Sequence, residues 1–278
     1  MAPNSTAPII IVAPATRCGT TLLQRAFNST GQAIIYGENF NLVENYPGII
    51  GMVFTNVPLR KERTAEVRQQ VLSGDYDIDA SPMFPDYEGY AQINRQNFYR
   101  LISYYEERSR SYGRTVWGIK HQIRVLEGFS VFMRLLPQAR YVFIYRNVFE
   151  IAPSHKARFS PGYPHPKDFA DLGRTWSRNL RAMRAVKQPN VLHLEYAELA
   201  GNPEGAIALL ESHCRIGGIR REVFSRRINV SPVIDRLDQA EAETSYRAPK
   251  PLEPHEEAEL LLAAREACEE FGYAIPRR

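Results

Sequence analysis

Continuous apolar runs alternate with segments of helical periodicity along most of this chain. Five short runs of apolar and β-branched residues predict buried strands, at Ile9 to Ala13, Ala33 to Tyr36, Thr115 to Ile119, Tyr141 to Tyr145 and Val191 to Leu194. Six segments with apolar residues at helical spacing predict helices, near Thr20 to Asn28, Leu126 to Leu136, Phe149 to Arg158, Phe169 to Val186, Pro203 to His213 and Pro254 to Phe271. This alternation predicts an α/β protein of three layers, α/β/α, with a central, mainly parallel sheet. Ligands bind beyond the carboxyl ends of such strands, so the residues just after each strand are candidates for function.

The segment from about residue 40 to residue 113 has weaker periodicity and is rich in tyrosine. We interpret it as an insertion of helices and loops that covers the functional site. An independent domain is not needed to explain it, so we predict a single domain over residues 1–278.

Composition and charge restrict the possible partners. The net charge is +4, from 35 basic and 31 acidic residues, and no arginine-lysine run of the kind found on nucleic-acid surfaces is present. We therefore expect a small anionic ligand and no nucleic acid. The three cysteines are too far apart for a CxxC motif, and their odd number argues against a disulfide framework. The first apolar run is too short for a membrane span and follows no basic region, so we expect a cytoplasmic protein with no membrane partner.

The loop after the first strand combines a phosphate-loop context with a missing lysine. A nucleotide triphosphatase loop reads GxxxxGK[ST], whereas this chain reads PATRCGTT, with Pro14 at the first glycine, Thr20 at the lysine and Thr21 at the hydroxyl position. Backbone N–H groups here are placed to surround an anion at a helix N-terminus, and Arg17 can add a forked pair of hydrogen bonds. The alternative is that the glycine and two threonines simply cap a helix.

The segment "TRCGTTLLQRAF" resembles the 5′-phosphosulfate loop of sulfotransferases that use 3′-phosphoadenosine 5′-phosphosulfate (PAPS). In that family the motif commonly reads arginine, a small residue, glycine, two threonines and two leucines. The resemblance implies a P-loop-like phosphosulfate loop, and these residues would bind the donor: Arg17, Cys18, Gly19, Thr20, Thr21 and Leu22. For Cys18 we favour the role of a small residue that allows close backbone approach.

The fourth strand and its helix, "ARYVFIYRNVFEIAPSHKARF", strengthen the resemblance. Sulfotransferases carry an arginine just after this strand and a serine eight residues later, both of which contact the 3′-phosphate of the nucleotide. Arg146 and Ser154 stand at the matching positions. Asn147 and Val148 replace the usual Asn/Asp-Pro pair, which is a departure from the pattern. Taken alone, an arginine at a strand end is more often a surface residue.

Later segments extend the resemblance over most of the chain, except roughly residues 45 to 110. "VLHLEYAELAGNPEGAIALL" resembles a family segment whose tyrosine lies near the adenine, which implies this role for Tyr196. The closing segment resembles that of bacterial members and implies that Arg247 contacts the 3′-phosphate, although the usual arginine-lysine-glycine is absent. Trp176 matches a tryptophan common in the family, but core packing is its favoured interpretation.

Sulfuryl transfer requires hydrogen-bond donors for the sulfonate, a cation near the leaving oxygen and a base for the acceptor hydroxyl. Lys120 follows the third predicted strand, where family members carry a lysine that approaches the bridging oxygen. The alternative is a surface lysine at a strand end. We expect no metal, because the transferred group carries less charge than a γ-phosphate.

Two residues are candidates for the base. His121 adjoins Lys120, but cytosolic sulfotransferases space these residues as lysine-x-histidine, and adjacent residues of a strand point to opposite faces. Glu38 follows the second strand after a glycine, where heparan-type and many bacterial members carry a glutamate base. We favour Glu38, and then His121 supports the site by hydrogen bonding.

The predicted function is transfer of a sulfuryl group from PAPS to a hydroxyl of a small molecule, natural product or saccharide, with 3′-phosphoadenosine 5′-phosphate (PAP) as product. One alternative is a P-loop kinase-like phosphotransferase, which would need magnesium and an acidic ligand. Another is a nucleotide-binding protein without catalysis. Neither the identity of the acceptor nor the oligomeric state follows from the sequence.

Overall fold

The structure, a computed structural model, describes residues 7–38, 45–75, 77–81, 87–123, 126–159, 169–225 and 250–276. The chain divides into two compact units. We call the first the sheet unit (Met1–Glu38, Tyr112–Ile123 and Gln138–Arg278) and the second the helical unit (Asn39–Ser111 and Arg124–Pro137). The single-domain organisation stays a prediction.

A five-stranded sheet forms the centre of the sheet unit. Its strands are β1 (Ile9–Ala13), β2 (Ala33–Tyr36), β3 (Val116–Gln122), β4 (Arg140–Tyr145) and β5 (Val191–Glu195). All four neighbouring pairs are parallel, in the order β2-β3-β1-β4-β5. Every residue of β1 is fully buried, because this strand has a neighbour on each side and helices pack on the faces of a parallel sheet. The predicted α/β class and parallel sheet are confirmed.

The strand order places a topological switch point at the carboxyl end of β1. From β1 the chain continues to β2 and β3 on one side of the sheet and then crosses to β4 and β5 on the other. The connections therefore diverge above β1, which leaves a crevice at this edge. The loop with the phosphosulfate-loop resemblance leaves β1 at this point.

Ten helices lie in the described ranges. They are α1 (Thr20–Ser29), α2 (Tyr46–Leu72), α3 (Tyr87–Ser111), α4 (Leu126–Leu135), α5 (Val148–Phe159), α6 (Phe169–Ala185), α7 (Tyr196–Gly201), α8 (Pro203–Cys214), α9 (Glu222–Ser225) and α10 (Pro254–Phe271). Helix α6 packs closely on α10, since a Cβ on Gly173 would lie 2.8 Å from Cβ of Ala263. None of the helices in the described ranges combines the length and apolar character needed to cross a bilayer.

The helical unit contains α2, α3 and α4. Its core includes Phe98 of α3, which packs edge-to-face on Phe132 of α4 with ring centroids 5.9 Å apart. Two long helices, α2 and α3, lie in the segment interpreted as an insertion of helices and loops, and its role as a cover for the functional site stays a prediction. Many positions on α3 are exposed, so its apolar stripe is narrow and its periodicity weak.

Two element boundaries differ from the prediction in ways that affect the site. β3 continues to Gln122, which pairs with Ala13 of β1, so Lys120 lies within the strand and not after it. The apolar run ends at Ile119 because Lys120, His121 and Gln122, which complete the strand, are all polar, although His121 is buried. Tyr196 begins α7 directly after β5, where Glu195 and Glu198 form a capping box.

Candidate active site

The loop between β1 and α1, residues 14–19, has an unusual backbone at two positions. Arg17 has φ 68° and Gly19 has φ 102°, both in the left-handed region that residues with a Cβ rarely adopt. A Cβ on Gly19 would lie 2.6 Å from Cδ2 of Tyr196, so glycine is required for space as well as for conformation. A non-glycine residue at positive φ is strained, and such strain concentrates at ligand sites.

The N-terminus of α1 is open to an anion. Its N-cap, Gly19, supplies no side-chain hydrogen bond, and its first turn, which lies wholly within the described residues, contains no acidic residue. Thr16 Oγ1 in the loop is buried and has no hydrogen-bond partner among the described residues. A buried hydroxyl in this state costs about 1–3 kcal/mol, and a helix N-terminus attracts negative charge. An oxyanion in the loop would accept a hydrogen bond from the Thr16 hydroxyl and would also be attracted by the N-terminus of α1.

Cys18 is fully buried inside this loop. Burial raises the pKa of its thiol to about 12, so the thiol stays protonated at neutral pH and is a poor nucleophile. Its Sγ lies 3.9 Å from the carbonyl oxygen of Thr16. These features fit a small residue that lets the loop pack closely.

Asn179 of α6 ties the loop after β1 to the end of β3. Its side chain is fully buried, and its amide nitrogen donates hydrogen bonds of 2.9 Å to the carbonyl oxygens of Pro14 and Ile123. Both carbonyls lie just beyond the strands, where the β1–β3 ladder stops satisfying them. Asn179 is not among the residues predicted from the sequence, although a polar residue on the apolar face of α6, between Trp176 and Met183, is a signal of a buried hydrogen bond.

Lys120 lies between the loop and the end of β2. Its Nζ is 3.5 Å from Oγ1 of Thr21 and 3.7 Å from Oε1 of Glu38. The side chain of Lys120 is 16% exposed and that of Glu38 is 35% exposed, so both groups are shielded but reachable. The end of β3, the loop after β2 and the first turn of α1 thus bring a cation, a carboxylate and a hydroxyl together at the carboxyl edge of the sheet.

His121 lies on the other face of β3. It is 1% exposed, whereas Lys120 and Gln122 on either side are partly exposed. Adjacent residues of a continuing strand point to opposite faces, so the structure does not bring His121 together with Lys120 and Glu38.

Arg146 follows β4 and lies over the ring of Tyr196, which follows β5. The guanidinium carbon is 4.2 Å from the ring centroid, a cation–π distance. One NH group donates to the carbonyl oxygen of Arg17 at 3.4 Å, and Nε pairs with Glu150 at 3.0 Å. The Arg146 side chain is 25% exposed, and the Glu150 side chain is 55% exposed, so this ion pair contributes little to stability.

The side chain of Arg17 points away from the loop and toward α5. Its Nε donates to Oγ of Ser154 at 2.8 Å. Ser154 lies on α5, the helix that begins two residues after Arg146. The two groups of residues predicted to bind opposite ends of one nucleotide are therefore adjacent, with Arg17 as the residue that joins them.

Tyr196 is held in place through the residue before it. Glu195 forms an ion pair with Arg184 of α6 and accepts hydrogen bonds from the hydroxyl of Tyr273 at 3.0 and 3.1 Å. Arg184 also lies over the ring of Tyr145, 4.0 Å from its centroid. Burial raises the pKa of Tyr273, which keeps its hydroxyl protonated and able to donate.

Two further predictions concern Arg247 and the absence of a metal site. Arg247 lies outside the described residues. Among the residues that the structure describes, no group of three or more His, Cys, Asp or Glu side chains is arranged to hold a metal ion.

A profile of the sulfotransferase family matches residues 8–217 of this chain. Two solved structures are similar in fold. The sulfotransferase domain of the olefin synthase of Synechococcus PCC 7002 has a TM-score of 0.55 and 15% identity, over 99% of this chain and 98% of that one. The sulfotransferase domain from the curacin biosynthetic pathway has a TM-score of 0.52 and 13% identity, over 98% of this chain and 100% of that one. A search of curated proteins found no significant match.

The profile covers the loop after β1, the ends of β2 to β5, and the residues that meet at the carboxyl edge of the sheet. At identities this low the structural likeness speaks for the fold alone, and the profile match carries the assignment. This chain therefore belongs to the sulfotransferase family, whose members transfer a sulfuryl group.

Proposed function

We propose that this protein transfers the sulfuryl group of PAPS to a hydroxyl of a small-molecule, natural-product or saccharide acceptor and releases PAP. The observation that carries the proposal is the position of the Lys120 ammonium, between Thr21 in the first turn of α1 and the Glu38 carboxylate. Sulfuryl transfer needs a cation, a hydrogen-bond donor and a base around one oxygen-rich group, and these three side chains supply them.

The loop and the N-terminus of α1 would bind the phosphosulfate end of the donor. Backbone N–H groups at a helix start suit an oxyanion, and Thr16 brings a buried hydroxyl that lacks a partner among the described residues. Thr20 and Thr21 add hydroxyl groups in the first turn. Cys18, Gly19 and Leu22 would contribute backbone, in a loop whose tight packing leaves no room for a larger residue at position 19.

The 3′-phosphate would bind at Arg146, Ser154 and Arg17. The Arg146 guanidinium donates to the backbone carbonyl oxygen of Arg17, and the Arg17 guanidinium donates to the Ser154 hydroxyl, so the three residues are neighbours that could bind one phosphate together. The planar fork of arginine matches a dianionic phosphate in geometry and charge. Tyr196 would support the same site, since its ring lies under Arg146 and against Gly19.

In the chemical step the acceptor oxygen attacks sulfur in line, and the bond from sulfur to the bridging oxygen breaks. Glu38 takes the proton of the acceptor hydroxyl, and the electron pair of the broken bond stays on the 5′-phosphate of PAP. Lys120 stabilises this negative charge as it develops, because a flexible ammonium can follow the departing oxygen. The Lys120–Glu38 ion pair keeps cation and base beside each other before the donor binds.

The test is incubation with PAPS and a panel of phenols, aliphatic alcohols and saccharides, with PAP and sulfated product measured by chromatography. A parallel set contains ATP and Mg²⁺ in place of PAPS. The proposal predicts acceptor-dependent PAP release in the first set. Phosphorylated acceptor and ADP in the second set would support the kinase-like alternative instead.

A further inference from the structure

The backbone that carries Arg146 is held by hydrogen bonds from residues outside the strand and helix it joins. The indole N–H of Trp176, on α6, donates to the carbonyl oxygen of Arg146 at 3.0 Å. The next residue, Asn147, donates through its side-chain amide to the carbonyl oxygen of Ala274, after α10, at 2.7 Å. The carbonyl oxygen of the Asn147 side chain accepts from the N–H of Phe149 at 3.0 Å and so begins α5.

The Trp176 and Asn147 side chains that make these contacts are buried, and the segment after α10 completes the set. Trp176 is fully buried and Asn147 is 8% exposed. The indole of Trp176 packs on the ring of Tyr273, with centroids 5.4 Å apart, and the Tyr273 hydroxyl donates to Glu195 just before Tyr196. Core packing was the favoured interpretation of Trp176 in the sequence, and the hydrogen bond gives it a second role.

The geometry links these residues to the Arg146 side chain. The carbonyl group of Arg146 lies in the peptide plane that it shares with Asn147. A hydrogen bond to this carbonyl oxygen therefore restricts the ψ angle of Arg146 and, with it, the direction in which the Arg146 side chain leaves the backbone. The guanidinium on the other side contacts the ring of Tyr196 and the carbonyl oxygen of Arg17. Arg146 is therefore fixed at both ends, and its fork is oriented before any ligand arrives.

We propose that Trp176 and Asn147 are positioning residues that give the nucleotide site its selectivity for a 3′-phosphate. The inference rests on the proposed function, in which Arg146 binds that phosphate. Two parallel hydrogen bonds from a rigid fork require exact placement, and an arginine ordered in advance loses less entropy on binding. The segment after α10 contributes to this positioning. The carbonyl oxygen of Ala274 accepts the hydrogen bond from Asn147, and the ring of Tyr273 packs on Trp176.

The test compares two nucleotides that differ only in the 3′-phosphate. Trp176→Phe removes the N–H donor and keeps an aromatic ring, and Trp117→Phe makes the same change at the chain's other tryptophan, also buried. Isothermal titration gives the affinities for PAP and for adenosine 5′-phosphate. Trp176→Phe should weaken PAP binding roughly five- to tenfold, the range expected for one buried hydrogen bond, and leave adenosine 5′-phosphate within about twofold. Trp117→Phe should preserve the ratio of the two affinities.

A second variant guards against a folding defect in the first. Asn147→Ser keeps a hydroxyl that can cap α5 but is too short to reach Ala274, and it should lower the PAP affinity selectively in the same way. In an Arg146→Ala background, Trp176→Phe should cost PAP no further affinity, because the two residues act through one contact.

The outcomes separate the inference from the proposed function. Equal losses for PAP and adenosine 5′-phosphate, or no loss for either, would overturn the positioning role of Trp176 and Asn147 while the wild type still prefers PAP. A wild type that binds the two nucleotides equally would overturn the 3′-phosphate site itself, and with it the inference.

Discussion

The ammonium of Lys120, near the end of β3, lies 3.7 Å from the carboxylate of Glu38, in the loop after β2, although the two residues are 82 positions apart. The carboxyl ends of β2 and β3 are neighbours in the sheet, which brings the two side chains to one edge. A cation and a carboxylate beside the loop after β1 are the groups that charge development and proton removal require.

Lys120→Ala should lower turnover at least ~100-fold and leave the affinity for PAP nearly unchanged, because the ammonium acts on charge that appears in the transition state. Steady-state rates with PAPS and titration with PAP measure the two quantities. Lys187→Ala, at an exposed lysine after α6, is the control and should change neither. An unaltered rate for Lys120→Ala would place leaving-group stabilisation on another residue.

Glu38→Gln should lower turnover by ~100-fold or more with little effect on PAP binding, because the amide keeps the shape of the carboxylate but cannot accept the proton. His121→Gln tests the alternative base and should keep turnover within about threefold of wild type, since His121 lies on the opposite face of β3. The reverse pattern, with loss only in the histidine variant, would assign the proton transfer to His121.

Gly19→Ala should destabilise the fold and abolish measurable PAP binding. The new Cβ would lie 2.6 Å from the Tyr196 ring, and the alanine would have to adopt φ 102°. Gly113→Ala is the matched control, because Gly113 has φ 70° and nothing within 4 Å of its Cβ. We expect the control to lose ~1–2 kcal/mol of unfolding free energy from its backbone conformation alone, and Gly19→Ala to lose more. Urea denaturation measures both losses of unfolding free energy. Equal losses would mean that the Tyr196 ring moves aside for the new Cβ at little cost.

Arg17→Gly should weaken PAP binding while leaving the stability of the fold nearly unchanged. Glycine relieves the strain of φ 68°, which offsets the lost hydrogen bond to Ser154, while the cation that joins the two predicted phosphate sites disappears. The free energy of unfolding should stay within ~1 kcal/mol of wild type, and PAP should bind at least ~10-fold more weakly. Arg17→Ala is the companion variant and should lose stability as well. Wild-type affinity in Arg17→Gly would remove Arg17 from the nucleotide site.

Local patterns predicted the elements well where the chain is either fully buried or clearly amphipathic. β1 and β2 have the predicted bounds, since every residue of β1 is apolar and buried. α10 begins and ends as predicted, with proline in its first turn and Gly272 at its C-cap. β3 ends three residues later than predicted, because its last positions are polar and the apolar pattern stops before the strand does. Lys120 and Gln122 are the partly exposed residues at this end of the strand.

Contacts between distant residues could not be predicted from the sequence. Arg17 was expected to add its charge to the loop, but its Nε reaches Ser154, 137 residues away. The hydrogen-bond partners of Asn179 and Trp176 could not be predicted, because the partners of a buried helical side chain are defined only once the strands and loops it packs on are in place. The resemblance to sulfotransferases identified side chains that meet at one edge of the sheet, and the structure added the residues that hold them there.

The most direct test of the account is a titration of the wild-type protein with PAP and, separately, with ATP plus Mg²⁺. In the proposed site Arg146, Ser154 and Arg17, which contact one another, would bind a 3′-phosphate, which PAP carries and ATP lacks. The account predicts that PAP binds at least ~100-fold more tightly than ATP with Mg²⁺, the difference expected from two charge-assisted contacts. Binding of ATP with Mg²⁺ that equals or exceeds that of PAP would contradict a PAPS-dependent sulfotransferase.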